Sequence, residues 1–318
     1  MSNPLVSVVL PTYERPDRLC RAATSVAAQT YDRVELVVVD DCSSTPASKT
    51  LADVPFDSLT VRHVRHETNK GANEARNTGI ARADGEYIAF LDDDDEWKPE
   101  KIEQQVATFD QADSETGVVY TGSEYRHDGY ERVVLYTHHG DVTRDLLAGR
   151  TFGNFSTLMV QRSVIDEAGP PDTAFPSWQD REWLLRLSTC CAFEPVKEPL
   201  TIRWCMGTGD RIADNYADKR DISYPRFIEK HRDLAASYGW IYERKFVASL
   251  SAILGQAALE QGSYADARKY LLRSCYYYPF RKRNLVYALA SLGGEYSYGP
   301  LSRLARTLHE LFDTETQH

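Results

Sequence analysis

A chain of 318 residues, 42% of them apolar, can bury a large core and hold one catalytic-size domain beside a smaller module. Its formal net charge of −10 argues against a nucleic-acid binder, which would carry a basic footprint. The charge is also uneven: residues 1–218 hold 22 basic against 37 acidic side chains, and residues 219–318 hold 15 against 10, so the two parts should face different partners.

Six cysteines (Cys20, Cys42, Cys190, Cys191, Cys205, Cys275) form no CxxC pair and no zinc spacing, which predicts free thiols in a reducing compartment. The run "LVSVVLP" is too short, and too poor in preceding positive charge, for a signal peptide. Nothing approaches the roughly eighteen apolar residues of a membrane span. The expectation is a cytoplasmic protein.

In chain order, the β-branched runs "LVSVVLP" (5–11), "RVELVVVDD" (33–41), "SLTVRHVRH" (58–66) and "GEYIAFLDD" (85–93) predict strands. Between them, Pro16–Gln29 and Gly71–Ala83 predict helices, the second with Asn73 as cap and Gly85 as stop. This alternation predicts an α/β fold with a mixed, mainly parallel sheet flanked by helices. Ligands of such sheets bind beyond the carboxyl ends of the strands, here Pro11 to Glu14, Asp40 to Ser43 and Asp92 to Asp95. Residues 117–205 alternate strand-like runs with one amphipathic helix in "QDREWLLRLSTC" (179–190). From Tyr224 the pattern is helical, with a tetratricopeptide-like hairpin around Gly262, Tyr264 and Ala267 and an amphipathic stretch "LSRLARTLHELF" (301–312). The expected division is 1–218 and 219–318.

The stretch "FLDDDDEW" (90–97) places four aspartates where a buried strand ends. Side chains alternate along an extended chain, so Asp92 and Asp94 should point one way and Asp93 and Asp95 the other, serving the loop and a helix near Pro99. Converging carboxylates raise each other's pKa unless a cation compensates, and hard divalent ions such as Mg²⁺ or Mn²⁺ prefer oxygen ligands. Ordinary turn chemistry is the alternative. Asp41 can accept from a pyrimidine base or a ribose hydroxyl, or cap the following turn. Pro11, Thr12 and Tyr13 can wall the same pocket, with the Tyr13 ring offered to a base or simply packed. Arg76 lies near the same edge, where it can reach a phosphate or, in the reading preferred here, brace the acidic loop.

Together "VSVVLPTYERPDRLCRAATSVAAQTYDRVELVVVDDCSS", "NKGANEARNTGIARADGEYIAFLDDDDEW" and "WQDREWLLRL" resemble the family 2 glycosyltransferases of GT-A fold, over roughly residues 5–205. The resemblance implies metal-dependent transfer, with inversion, of one sugar from a nucleotide-diphosphate donor, a UDP-sugar favoured, to a hydroxyl of a saccharide or lipid-linked saccharide. It implies donor-nucleotide contacts at Pro11, Thr12, Tyr13, Glu14 and Asp41, with Asp92 at the ribose or metal and Asp94 as metal ligand. Asp180 in "WQDREW" matches the catalytic base, with Gln179 where the family usually has Glu. A carboxylate there can take the proton of an acceptor hydroxyl, while capping a helix 181–189 is the local alternative; both roles can hold. The histidine that many relatives carry beyond the base is missing from "RWCMGTGDRIADN" (203–215), where Asp210, Arg211 or backbone groups can substitute. The competing function is a non-catalytic nucleotide-sugar scaffold or sensor. "YYYPFRKRN" (276–284) and the final amphipathic stretch give either a peripheral contact at the cytoplasmic face of a membrane or an ordinary packed helical cap.

Overall fold

The computed structural model describes residues 3–57, 59–127, 130–204, 215–280, 282–294 and 296. In chain order, β1 (Val6–Thr12), α1 (Pro16–Ala27), β2 (Val34–Asp40), α2 (Ala47–Thr50), β3 (Thr60–Arg65), α3 (Ala72–Arg82) and β4 (Tyr87–Phe90) follow the expected alternation. Next come β5 (Asp95–Trp97), α4 (Lys101–Gln111), β6 (Thr116–His127), β7 (Tyr130–Val134), α5 (Thr143–Leu147), β8 (Leu158–Gln161), α6 (Arg162–Ala168), α7 (Gln179–Leu187) and β9 (Ala192–Trp204). The described strands form one sheet in the order β3-β2-β1-β4-β8-β6-β9-β5, with β7 paired to β6. The chain divides into two compact units, residues 1–146 with 150–211, and residues 147–149 with 212–318.

β1, β2, β3 and β4 run parallel. Every residue of β1 and β2 is buried, as expected for strands covered on both faces, whereas the edge strand β3 exposes Thr60, Arg62, His63 and Arg65. Val6, Val8 and Leu10 meet Leu19, Ala22, Ala23 and Val26 of α1 and Ile102 and Val106 of α4 in one core. On the opposite face, a Cβ added at Gly79 would fall 2.3 Å from Val9 Cγ1, so α3 approaches β1 this closely because Gly79 has no side chain. Pro11 is tolerated in a central strand because its side of β1 has outrun its neighbour: the last residue of β4, Phe90, pairs with Val9.

β8 pairs antiparallel with both β4 and β6, and β6 pairs parallel with β9. β9 carries Pro195 and Pro199, and its register with β6 shifts three times, which bends the strand. Its far end is thereby free to pair antiparallel with the short β5, setting Asp95 opposite Arg203.

The second unit is helical: α8 (Tyr216–Asp218), a π-helical turn (Lys219–Ser223), α9 (Tyr224–Ser237), α10 (Trp240–Glu260), α11 (Tyr264–Tyr277) and α12 (Lys282–Ala290). Gly262, at φ 72, closes the turn between α10 and α11, and Ala258, Leu259, Ala267 and Leu271 form a core with Ala288 of α12. The stretch 301–312 lies outside the described residues. No helix among the described residues is long and apolar enough to cross a membrane.

Candidate active site at the strand ends

β4 stops at Phe90, and the chain then turns, with the Asp95 N–H donating to the Asp92 carbonyl at 3.0 Å. That turn ends the alternation expected for an extended chain. Asp92, Asp94 and Asp95 bring carboxylate oxygens within 4.8 Å of one another, while Asp93 turns toward β1 and accepts from Thr12 Oγ1 at 2.8 Å. Asp95 opens β5, and the residue before α4 is Glu100, so Asp95 does not prepare that helix. Ser156 clamps both ends of the run, accepting the Asp92 N–H on Oγ at 3.1 Å and the Trp97 indole N–H on its carbonyl at 2.8 Å.

Three arginines from separate segments compensate the four acids. Arg15 pairs with Asp93 at 3.0 Å and Asp94 at 3.3 Å; Arg76 of α3 pairs with Asp92 at 2.5 Å; Arg203 of β9 approaches Asp95 at 3.6 Å. Compensation is incomplete. Burial pushes the Asp93 carboxyl up to about 6, against the opposing pull of Arg15 and Thr12 and with a further push from Asp94. Burial also raises Asp95; Arg203 opposes this, and the charges of Asp94 and Asp92 add to it. The three clustered acids thus offer an all-oxygen donor set whose charge is under-neutralised, and Mg²⁺ or Mn²⁺ fits that chemistry.

At the end of β1, Thr12 is buried and holds Asp93, while Tyr13 is 46% exposed at the sheet's carboxyl edge. Glu14 adopts φ 54, and its carboxylate binds the Ser44 N–H at 2.7 Å and the Ser44 hydroxyl at 2.8 Å. Cys42, just past β2, has φ 73. Left-handed non-glycine residues cost of order 1 kcal/mol and gather where the surroundings over-determine them. Two of the four among the described residues, Glu14 and Cys42, lie in the loops after β1 and β2. Asp41 is buried and accepts from His66 Nδ1 at 2.7 Å and from the N–H groups of Lys70 at 2.9 Å and Gly71 at 2.7 Å. Its carboxylate thus holds the entry to α3, and of roughly four acceptor positions one is left over. Gly71, at φ 91, sits at the cap of α3. Asn73 is instead inside the helix, where its amide donates to the Asp172 carbonyl at 2.8 Å.

α7 begins at Gln179 rather than 181, after Trp178 in the left-handed region at φ 61. Asp180 therefore lies in the first turn instead of at the cap. Its Oδ1 accepts the Arg181 N–H at 2.8 Å, and an anion there is favoured by the helix dipole. Packing fixes α7 against the acidic run: Trp183, fully buried, meets Phe90 edge-on at 5.2 Å and Phe155 at 5.6 Å. Asn77 adds a bond from its amide to the Pro171 carbonyl at 2.9 Å. Arg76 closes the circuit. Stacked 3.9 Å over Phe155, it donates to Gln179 Oε1 at 3.1 Å while holding Asp92.

Sequence reading anticipated Arg76 as a brace but missed Arg15, Arg203, Ser156 and Asp95 as a cluster member. Arg15 could have been found as the first cation after a central strand end. Arg203 could not, because its approach to Asp95 depends on the bends in β9. Asp210 and Arg211 lie outside the described residues.

The mixed sheet flanked by helices, with acids beyond the carboxyl ends of its parallel strands, has the GT-A glycosyltransferase fold, as its solved structural neighbours do. The model of the family described as Glycosyl transferase family 2 matches residues 7–167, about half of the chain, and the chain belongs to that family. It is 29% identical over 246 residues, 74% of this chain and 82% of the relative, to an uncharacterised glycosyltransferase of Haemophilus influenzae. A UDP-Glc:alpha-D-GlcNAc-diphosphoundecaprenol beta-1,3-glucosyltransferase of Escherichia coli is 37% identical over 107 residues, which span 34% of this chain and 42% of the relative. The solved mannosyltransferase of Pyrobaculum calidifontis, in complex with GDP-Man and Mn²⁺, superposes with a TM-score of 0.55 at 18% identity, over 92% of this chain and 87% of that one. The protein is a glycosyltransferase.

Proposed function

We propose that the protein is a metal-dependent, inverting enzyme of the cytoplasm that moves one sugar from a UDP-sugar to a hydroxyl of a lipid-linked or cell-surface saccharide. The observation that carries this reading is the double engagement of Arg76, which ties Asp92 of the acidic run to Gln179, the neighbour of Asp180. One guanidinium thus ties the Asp92 carboxylate to the first turn of the helix that carries Asp180. Tyr13 stacks on the base, and the remaining acceptor position of Asp41 takes the base N–H. Asp180 takes the acceptor's proton as its oxygen bonds to the anomeric carbon. The bond from that carbon to the diphosphate breaks with its electron pair leaving on oxygen, and attack opposite the leaving group inverts the centre. A Mg²⁺ or Mn²⁺ held by Asp92, Asp94 and Asp95 would neutralise charge on the departing diphosphate. Uridine as the nucleotide and a lipid diphosphate acceptor are supported by the activity of the Escherichia coli relative.

Thermal shifts with UDP, GDP and dTDP, each with and without Mn²⁺, test the reading. UDP with Mn²⁺ should raise the melting temperature, and Asp94→Asn should remove the metal-dependent part. A shift with GDP alone would replace the donor, and no shift with any nucleotide would overturn the function.

A further inference from the structure

The helical unit carries a band of chemistry that sugar transfer does not use. The start of α10 and the end of α11 lie side by side: the Arg244 guanidinium donates to the Tyr276 carbonyl at 2.6 Å and stacks over the Tyr276 and Tyr277 rings at 5.8 and 5.7 Å. Lys245 lies 5.2 Å from the Tyr242 ring and 5.6 Å from that of Tyr278, and Arg273 lies 5.7 Å from Tyr277. Tyr278 in turn meets Phe280 edge-on at 5.3 Å. Around these cations, large rings stand in solvent: Trp240 is 72% exposed, Tyr276 74% and Phe280 76%. The apolar side chains of α12 continue the theme, since Leu285, Val286 and Leu289 are exposed at helical spacing.

Two features set this band apart from an ordinary solvated helix end. Arg244, Lys245 and Arg273 rest on aromatic rings rather than carboxylates, so their charge is not cancelled by an ion pair among the described residues. The acid beside them, Glu243, is already bound by Arg232 at 2.7 Å. Exposed Trp, Tyr and Phe interleaved with Lys and Arg is the composition of segments that sit at a lipid headgroup layer, with rings at the apolar boundary and cations on anionic phosphates. A protein interface shares the enrichment in aromatic residues and arginine, but it is depleted in lysine and carries few charges at its core, whereas here the cations lie among the rings. The unit's positive balance on an otherwise acidic chain provides the charge complement.

We infer that the Trp240–Lys245 and Arg273–Phe280 band docks the protein on an anionic phospholipid surface. This deepens the proposed transfer to a lipid-linked acceptor and rests on that reading for its purpose, though not for its chemistry. The full-length protein is floated with vesicles of phosphatidylcholine alone or of phosphatidylcholine with phosphatidylglycerol, at low and high salt. It should rise only with the anionic vesicles and be released by salt. Lys245→Gln with Arg273→Gln should weaken vesicle partition about 25-fold, about fivefold for each cation removed. Trp240→Ala with Phe280→Ala should weaken it at least as far, with the melting temperature unchanged. Absence of binding to anionic vesicles, equal binding to neutral ones, or full binding by both variants would overturn the inference. The nucleotide-induced thermal shift separates the two readings. A wild-type protein that shifts with UDP and Mn²⁺ but ignores vesicles keeps the transferase and loses the membrane surface, and the reverse result keeps only the surface.

Discussion

The acidic strand ends of the first unit and the basic helix ends of the second handle charge in opposite ways. The first packs four carboxylates into partly buried positions and sets three guanidiniums against them, leaving Asp93 and Asp95 with raised affinity for a proton. The second leaves its cations near solvent and lays them on rings. Removing water makes each interaction stronger and each missing partner more costly. Fixed geometry for chemistry therefore belongs to the buried cluster, while the exposed band can only select an oppositely charged surface.

This contrast predicts a graded series of effects. Asp180→Asn should lower sugar transfer about 10²–10⁴-fold, the usual worth of a positioned general base, while nucleotide binding by thermal shift is retained; unchanged transfer would remove Asp180 from the chemistry. Arg76→Ala leaves Asp92 without its cation and Gln179 without its donor. It should destabilise the fold by about 3 kcal/mol in urea unfolding, with Arg76→Lys intermediate because one ammonium cannot reproduce the fork.

Asp93 gives a pH signature in metal-free protein. Its folded-state pKa of about 6 lies above the ordinary 3.8, so the folded chain holds this proton more tightly than the unfolded one. Its stabilising contribution is complete below the lower value and lost as pH rises through the upper, by a few kcal/mol at most. Asp93→Asn, which mimics the protonated acid, should gain stability relative to wild type as pH rises from about 4 to about 7. Equal pH dependence of the two unfolding curves would show that Asp93 is ionised throughout. The smallest effect is expected at the exposed band, where Tyr276→Ala should change folding stability by less than about 0.5 kcal/mol, read from the same urea curves.

Much of the fold was legible because its signals are local. Alternating β-branched runs, the amphipathic period of α1 and the Gly85 stop after α3 located β1 to β4 with both helices, and the strand ends located the site. Asn73 was misread because a capping residue is a matter of one position, and Gly71 with its left-handed φ better suits a chain already held by Asp41. Asp95 was misread because period-two alternation applies only while the chain stays extended, and the turn after β4 breaks it within three residues.

By itself the sequence determined the parallel half of the sheet, the four acids at a strand end and the split between acidic and basic parts. Hydrophobic period, strand-end position and net charge are properties of neighbours along the chain. The tertiary structure alone decided which arginine meets which aspartate. Arg15 and the acids it holds are 78 and 79 positions apart, and Arg76 reaches Gln179 across 103. It also decided that Lys101 lies fully buried, its pKa driven well down by the loss of water. A charge's partner and its loss of water are set by which distant segments pack around it, and no spacing in the chain encodes them.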